Sequence, residues 1–75
     1  MTTPSPWRNV DDFQLSLRHR GIPVPHIEAI GDYLYGDDIQ VPGSALANPV
    51  VRSLLGEFSS THRDETGVRA GMLLQ

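Results

Sequence analysis

The chain of 75 residues carries six arginines, no lysine, nine carboxylates, no cysteine and a formal net charge of −3. That length admits one domain at most, and the missing cysteines exclude disulfides and every thiolate metal site. The carboxylate excess argues against a general nucleic-acid binder, whose affinity comes from cations that displace phosphate counterions.

A domain this small buries a limited fraction of its surface and has a thin stability margin. Small scaffolds recover the shortfall with disulfides, a metal or oligomerisation. His19, His26 and His62 lie 7 and 36 residues apart, so no two imidazoles share adjacent turns of one helix, which argues against zinc. No metal and no cofactor is expected. Oligomerisation, or docking on another protein, is the expected external support. At 39% hydrophobic residues the composition is that of a globular chain, and no apolar run approaches a membrane span. Residues 1–6 lack the basic start and hydrophobic stretch of a secretory signal. A cytoplasmic location without membrane contact is expected. Exclusive use of Arg accompanies GC-rich coding, as in an actinobacterium or one of its phages.

In chain order, residues 1–6, with two prolines among Thr and Ser, read as a loose tail, and residues 7–75 as a single small helical domain. Trp7 is the first anchor. Asn9 caps a helix over 10–19, with Asp11 and Asp12 at the positive end of its dipole. Val10, Phe13 and Leu17 form its apolar stripe, Leu15 points away from it, and Gly21 is the stop. The segment Ile22-Pro23-Val24-Pro25 reads as non-helical over part of its length, because each proline biases its predecessor towards extended geometry. Pro25 opens a second helix over 25–35, ending at Gly36, with Ile27, Ile30 and Leu34 inward and Tyr33 beside them. Gly31 inside it costs about 1 kcal/mol relative to Ala unless another backbone needs the room.

Residues 36–47 read as a long ordered loop or partner-seeking segment, in which Ile39-Gln40-Val41 alternates like a short strand. Asn48-Pro49 signals the start of a third helix over 48–58 with Val50, Val51, Leu54, Leu55 and Phe58 on its apolar face. Ser59-Ser60-Thr61 is expected to break it. A fourth helix over 62–74 is weaker, since Gly67 and Gly71 interrupt it, and an extended 68–74 tail competes with it. The expected fold is all-α, a small bundle of three helices plus this fourth. Its predicted core is Phe13, Leu17, Ile27, Ile30, Leu34, Val51, Leu54 and Phe58.

Few residue patterns carry chemistry. Asp32, Asp37 and Asp38 fall within seven residues, but they lack calcium-loop spacing and read as a solvated turn. No serine stands in a Gly-x-Ser-x-Gly setting, no phosphate loop exists, and no nucleophile pairs with a base, so an enzyme is not expected. Gly67-x-x-x-Gly71 has the spacing of close helix packing, within a soluble dimer or in a frayed tail. A helix–turn–helix reading of 10–35 would contact DNA through Arg18, Arg20 and His26. The second helix, however, offers Glu28 and Asp32 and no Arg, Lys, Asn or Gln for base edges.

Tyr33 and Tyr35 differ by about 200° around a helix, so one of them faces outward. With Leu15 and Trp7 it supplies the aromatic and aliphatic character of interface hot spots, and Ile39 and Val41 extend that surface along the loop. The favoured reading is a non-enzymatic protein–protein module: a small regulator, inhibitor or assembly adaptor. Its partner is another protein, in a homo-oligomer or a hetero-complex. The alternative is a small helix–turn–helix transcriptional regulator.

Overall fold

In the computed structural model, which describes residues 5–75, five helices form the chain: α1 (Val10–His19), α2 (Val24–Leu34), α3 (Gly43–Leu46), α4 (Pro49–Thr61) and α5 (Glu65–Leu73). The fold is all-α, without a strand among the described residues, and it is a small helical bundle. The expected tail falls partly on residues 1–4, which lie outside the described residues. Ser5 is half-buried, its hydroxyl accepting from the Trp7 amide at 3.2 Å and from the Thr61 hydroxyl at 3.2 Å.

Side chains and glycines set the helix ends. The Asn9 carboxamide oxygen accepts from the Asp12 amide at 3.0 Å, and the Asp12 carboxylate reaches back to the Arg8 amide at 3.1 Å. This reciprocal cap satisfies two otherwise orphaned donors. Gly21 (φ +77°) and Gly36 (φ +100°) supply the left-handed residue after α1 and α2. There the amides of Ile22 and Asp37 return to the carbonyls of Leu17 and Asp32, closing each helix with a Schellman motif. Val24 precedes a proline yet is helical, which corrects the expected start at Pro25. As the first residue of α2, it and Pro25 occupy positions whose amides have no intrahelical acceptor, and Pro23 takes the capping role instead.

The segment 36–47 is not all loop, because Pro42 starts the single turn α3, and Ile39–Val41 pairs with no strand. Nor does Ser59-Ser60-Thr61 break α4. The helix runs on through Thr61, and the hydroxyls of Ser60 and Thr61 donate back to the Glu57 carbonyl, each at 2.9 Å, instead of capping a helix end. Asp64 then caps α5, accepting from the Thr66 hydroxyl at 2.6 Å and the Gly67 amide at 3.2 Å. The extended-tail alternative for 68–74 is thereby overturned.

The helices make two antiparallel hairpins. In α1–α2, Tyr35 meets Asp11 and Gly31 meets Gln14. In α4–α5, Gly67 meets His62, Gly71 meets Ser59 and Leu74 meets Gly56. The Arg69 guanidinium ties the hairpins together by donating to the Leu34 carbonyl at 3.4 Å, and Arg52 bonds the carbonyls of Leu46 and Leu74. One core runs through both hairpins, and all eight predicted core residues are buried in it. Val50 is the exception on the α4 apolar face, exposed at 42%.

The two carboxylate-binding donors at Asp64 hold its carboxyl below the ordinary range, the Thr66 hydroxyl contributing most and the Gly67 amide next. A lowered folded-state pKa means stability that is present above the unfolded value and is lost as pH falls through the folded value. Asp64→Ala is expected to cost about 1 kcal/mol at neutral pH, as loss of an N-cap does. Urea melts at pH 7 and below pH 3 check this, since the difference between the two proteins should shrink in acid.

Candidate functional site

The structure sorts the sequence-derived candidates into a surface set and a core set. Trp7 and Val41, expected at an interface, are core residues exposed at 5% and 6%. The Trp7 ring meets Phe13 edge-on at 4.9 Å and Phe58 at 5.9 Å, so burial of the indole, not docking, accounts for it. Val41 is held inward where the chain turns into α3. Tyr33 is half-buried beside Arg69 and Met72, and Ile39 is exposed in the preceding loop.

Leu15 and Tyr35 are both more than half exposed on the α1–α2 hairpin, and Asp11 links them, lining a groove with Leu15 and bonding Tyr35. The Tyr35 hydroxyl donates to Asp11 Oδ1 at 2.8 Å. This hydrogen bond to Asp11 raises the Tyr35 pKa above its ordinary value, because it exists only while the phenol keeps its proton. Asp11 in turn lines, with Leu15, Arg18, Val24 and Glu28, a shallow groove of about 380 Å³ whose floor is Gln14 and Ile27. The floor is tight. Gln14 Nε2 donates to the Ile27 carbonyl at 3.1 Å, and its carboxamide occupies the space that a side chain at Gly31 would fill. Gly31 therefore makes room for a side chain from α1, where the sequence suggested a backbone.

Val24 is the member that sequence reasoning missed. It is 53% exposed, but its place between two prolines read as linker. Once α2 begins at Val24, Val24 and Tyr35 are eleven residues apart, three helical turns to within about 20°. Isolated surface apolar residues need no explanation, whereas Leu15, Val24 and Tyr35 share one face. A second apolar pair, Val68 and Met72 on α5, was also missed, because the glycines of that segment weakened the helix reading.

The residues of the DNA alternative are dispersed. Arg18 lies in the α1–α2 groove. Arg20 lies toward Val50 and Glu57 on the α4 side, its guanidinium donating to the Ser16 carbonyl and hydroxyl at 3.1 and 2.9 Å. His26 is half-buried, with Nε2 3.5 Å from the Ser44 hydroxyl. Glu28 and Asp32 remain the exposed charges of α2. Among the described residues, no three histidine or carboxylate side chains converge as metal ligands, and no helix is long and apolar enough to cross a membrane. No family model, no curated protein and no solved structure matches this chain.

Proposed function

We propose that the chain is a non-enzymatic protein–protein interaction module whose docking surface is the outer face of α1–α2. The single observation that carries this reading is the exposure of Leu15, Val24 and Tyr35 on one face, at 52%, 53% and 53%. Asp11, Arg18 and Glu28 border it. An apolar centre with a charged rim is the anatomy of a protein interface. Burying those three side chains favours association by roughly 25 cal/mol for each Å² of apolar surface removed from water. The rim supplies register and discrimination more than affinity. A regulator, inhibitor or adaptor role suits a domain that works through such a surface.

The test is capture from an extract of source cells by immobilised wild type, by Leu15→Glu/Val24→Glu, and by Val68→Glu as a control on the opposite hairpin. A stoichiometric protein partner retained by wild type and control, and lost from the double variant, is the expected result. Equal retention by all three overturns the reading. So does sedimentation with mixed-sequence duplex DNA that reveals a complex dissolving as salt rises, the signature of phosphate contacts.

A further inference from the structure

The rim charges of the α1–α2 face carry more than a general reading. Asp11 and Arg18 are seven residues apart, two turns to within about 20°, so they share one line along α1. Leu15 and Gln14 lie at the midpoint. The sole ion pair among the described residues joins Arg69 to Glu65 at 3.4 Å and involves neither Asp11 nor Arg18. Among the described residues the Arg18 guanidinium has neither an ion-pair nor a hydrogen-bond partner, and the Asp11 carboxylate accepts only through Oδ1, from Tyr35. An unpaired carboxylate oxygen and an unpaired cation thus stand about one turn before and one turn after an exposed leucine.

We infer that the occupant of this face is a second copy of the chain, stacked with α1 antiparallel on α1 and α2 antiparallel on α2 about one twofold axis. The inference rests on the docking-face reading and names its partner. An axis crossing α1 between Gln14 and Leu15 sets Asp11 against Arg18 of the partner subunit, and by symmetry Arg18 against Asp11 of the partner subunit. The same operation must suit α2, and it does. The midpoint of Val24 and Tyr35 falls between residues 29 and 30. Across the hairpin, Gln14 reaches Ile27 and Gly31, which bracket that midpoint. One axis therefore serves both helices, placing Val24 on the partner subunit's Tyr35. An isologous contact requires such self-complementarity, and the product is an antiparallel four-helix layer of ordinary bundle geometry.

The rival apolar pair on α5, Val68 and Met72, lacks this property. Of the charges lining its groove, Glu65 pairs with Arg69 and Asp64 caps α5, which leaves Arg63 with no carboxylate to match it across a twofold axis. Two helices of ten and eleven residues offer an interface at the small end of specific contacts. A reversible dimer is expected, its affinity set by the cross-axis pairs and packing more than by area.

Sedimentation equilibrium of the full chain tests the inference. Wild type should dimerise reversibly. Asp11→Arg and Arg18→Glu should each be helical by circular dichroism yet weaken the dimer at least about tenfold, a change of about 1.4 kcal/mol, since each places like charges across the axis twice. An equimolar mixture of the two should recover a dimer, because both cross-axis pairs are then opposite in sign. If a charge variant fails to fold, proximity is read directly. The chain has no native cysteine, so a short bismaleimide should link Leu15→Cys into dimers and leave Val68→Cys monomeric. Wild type that stays monomeric up to about 1 mM, the weak end of specific association, overturns the second-copy occupant and leaves the face to a different protein. A dimer that persists in both single variants, or a mixture that does not recover, overturns the arrangement of this face itself.

Discussion

Phe58→Ala is expected to lower stability by about 3–5 kcal/mol, the cost of truncating a buried aromatic that leaves a cavity. A 75-residue domain has about 4–11 kcal/mol in total at 0.05–0.15 kcal/mol per residue. This one substitution therefore removes a large share of it. Phe58 is fully buried where the chain's distant parts meet. Its ring lies 4.8 Å from Phe13 on α1 and 5.9 Å from Trp7 ahead of α1, while His62 stacks on its other side at 4.0 Å with the planes 11° apart. Aromatic pairs at centroid separations of about 4.5–7 Å contribute about 0.5–1.5 kcal/mol beyond burial, and Phe58 makes two of them, with Phe13 and Trp7. With a urea slope near 1 kcal/mol/M, the midpoint should fall by about 3 M or the cooperative transition should vanish. Val50→Ala, at an exposed position of the same helix, should stay within about 0.5 kcal/mol. A Phe58→Ala midpoint within about 1 M of wild type would remove Phe58 from the centre of the core.

The same cluster shows what was legible in the sequence and what was not. The i, i+3, i+7 recurrence of Val10, Phe13 and Leu17, the Asn-Pro start of α4 and the stops at Gly21 and Gly36 depend on local chemistry, and local chemistry can be read residue by residue. Trp7 cannot be read that way. Whether an indole is a core anchor or a docking residue depends on Phe58, fifty-one positions later, and no periodicity links the two. Val24 failed for the opposite reason, because a local rule about residues before proline was overridden at a helix's first position. Leu15 and Tyr35 were identified separately by their helical angles. Only the antiparallel register of α1 and α2 makes them one face, and that register is fixed by Gln14 over Gly31.

Gly67→Ala and Gly56→Ala make the second large prediction, one substitution with opposite signs at two sites. Replacing a helix-interior glycine by alanine ordinarily stabilises by about 0.5–1 kcal/mol, because the unfolded chain has fewer states to lose. Gly56 in α4 meets that condition: a Cβ there would find only Leu74 Cδ1 at 3.8 Å, an ordinary contact. Gly67 in α5 does not. A Cβ there would overlap the His62 carbonyl oxygen, and main chain at the end of α4 cannot rotate aside as a side chain can. The alanine must push α5 outward, at a cost of about 1–3 kcal/mol for overpacking, offset by at most the propensity gain. Gly71 is a graded case, since its neighbour is the Ser59 hydroxyl at 2.9 Å, which can turn away. The glycines that seemed to argue against a fourth helix are therefore what allow α5 to lie against α4. The Gly-x-x-x-Gly spacing serves a contact within the chain. Urea midpoints of the two variants should move in opposite directions from wild type. A stabilising Gly67→Ala would mean that α5 does not rest on the His62 carbonyl, and the close α4–α5 approach would have to be abandoned.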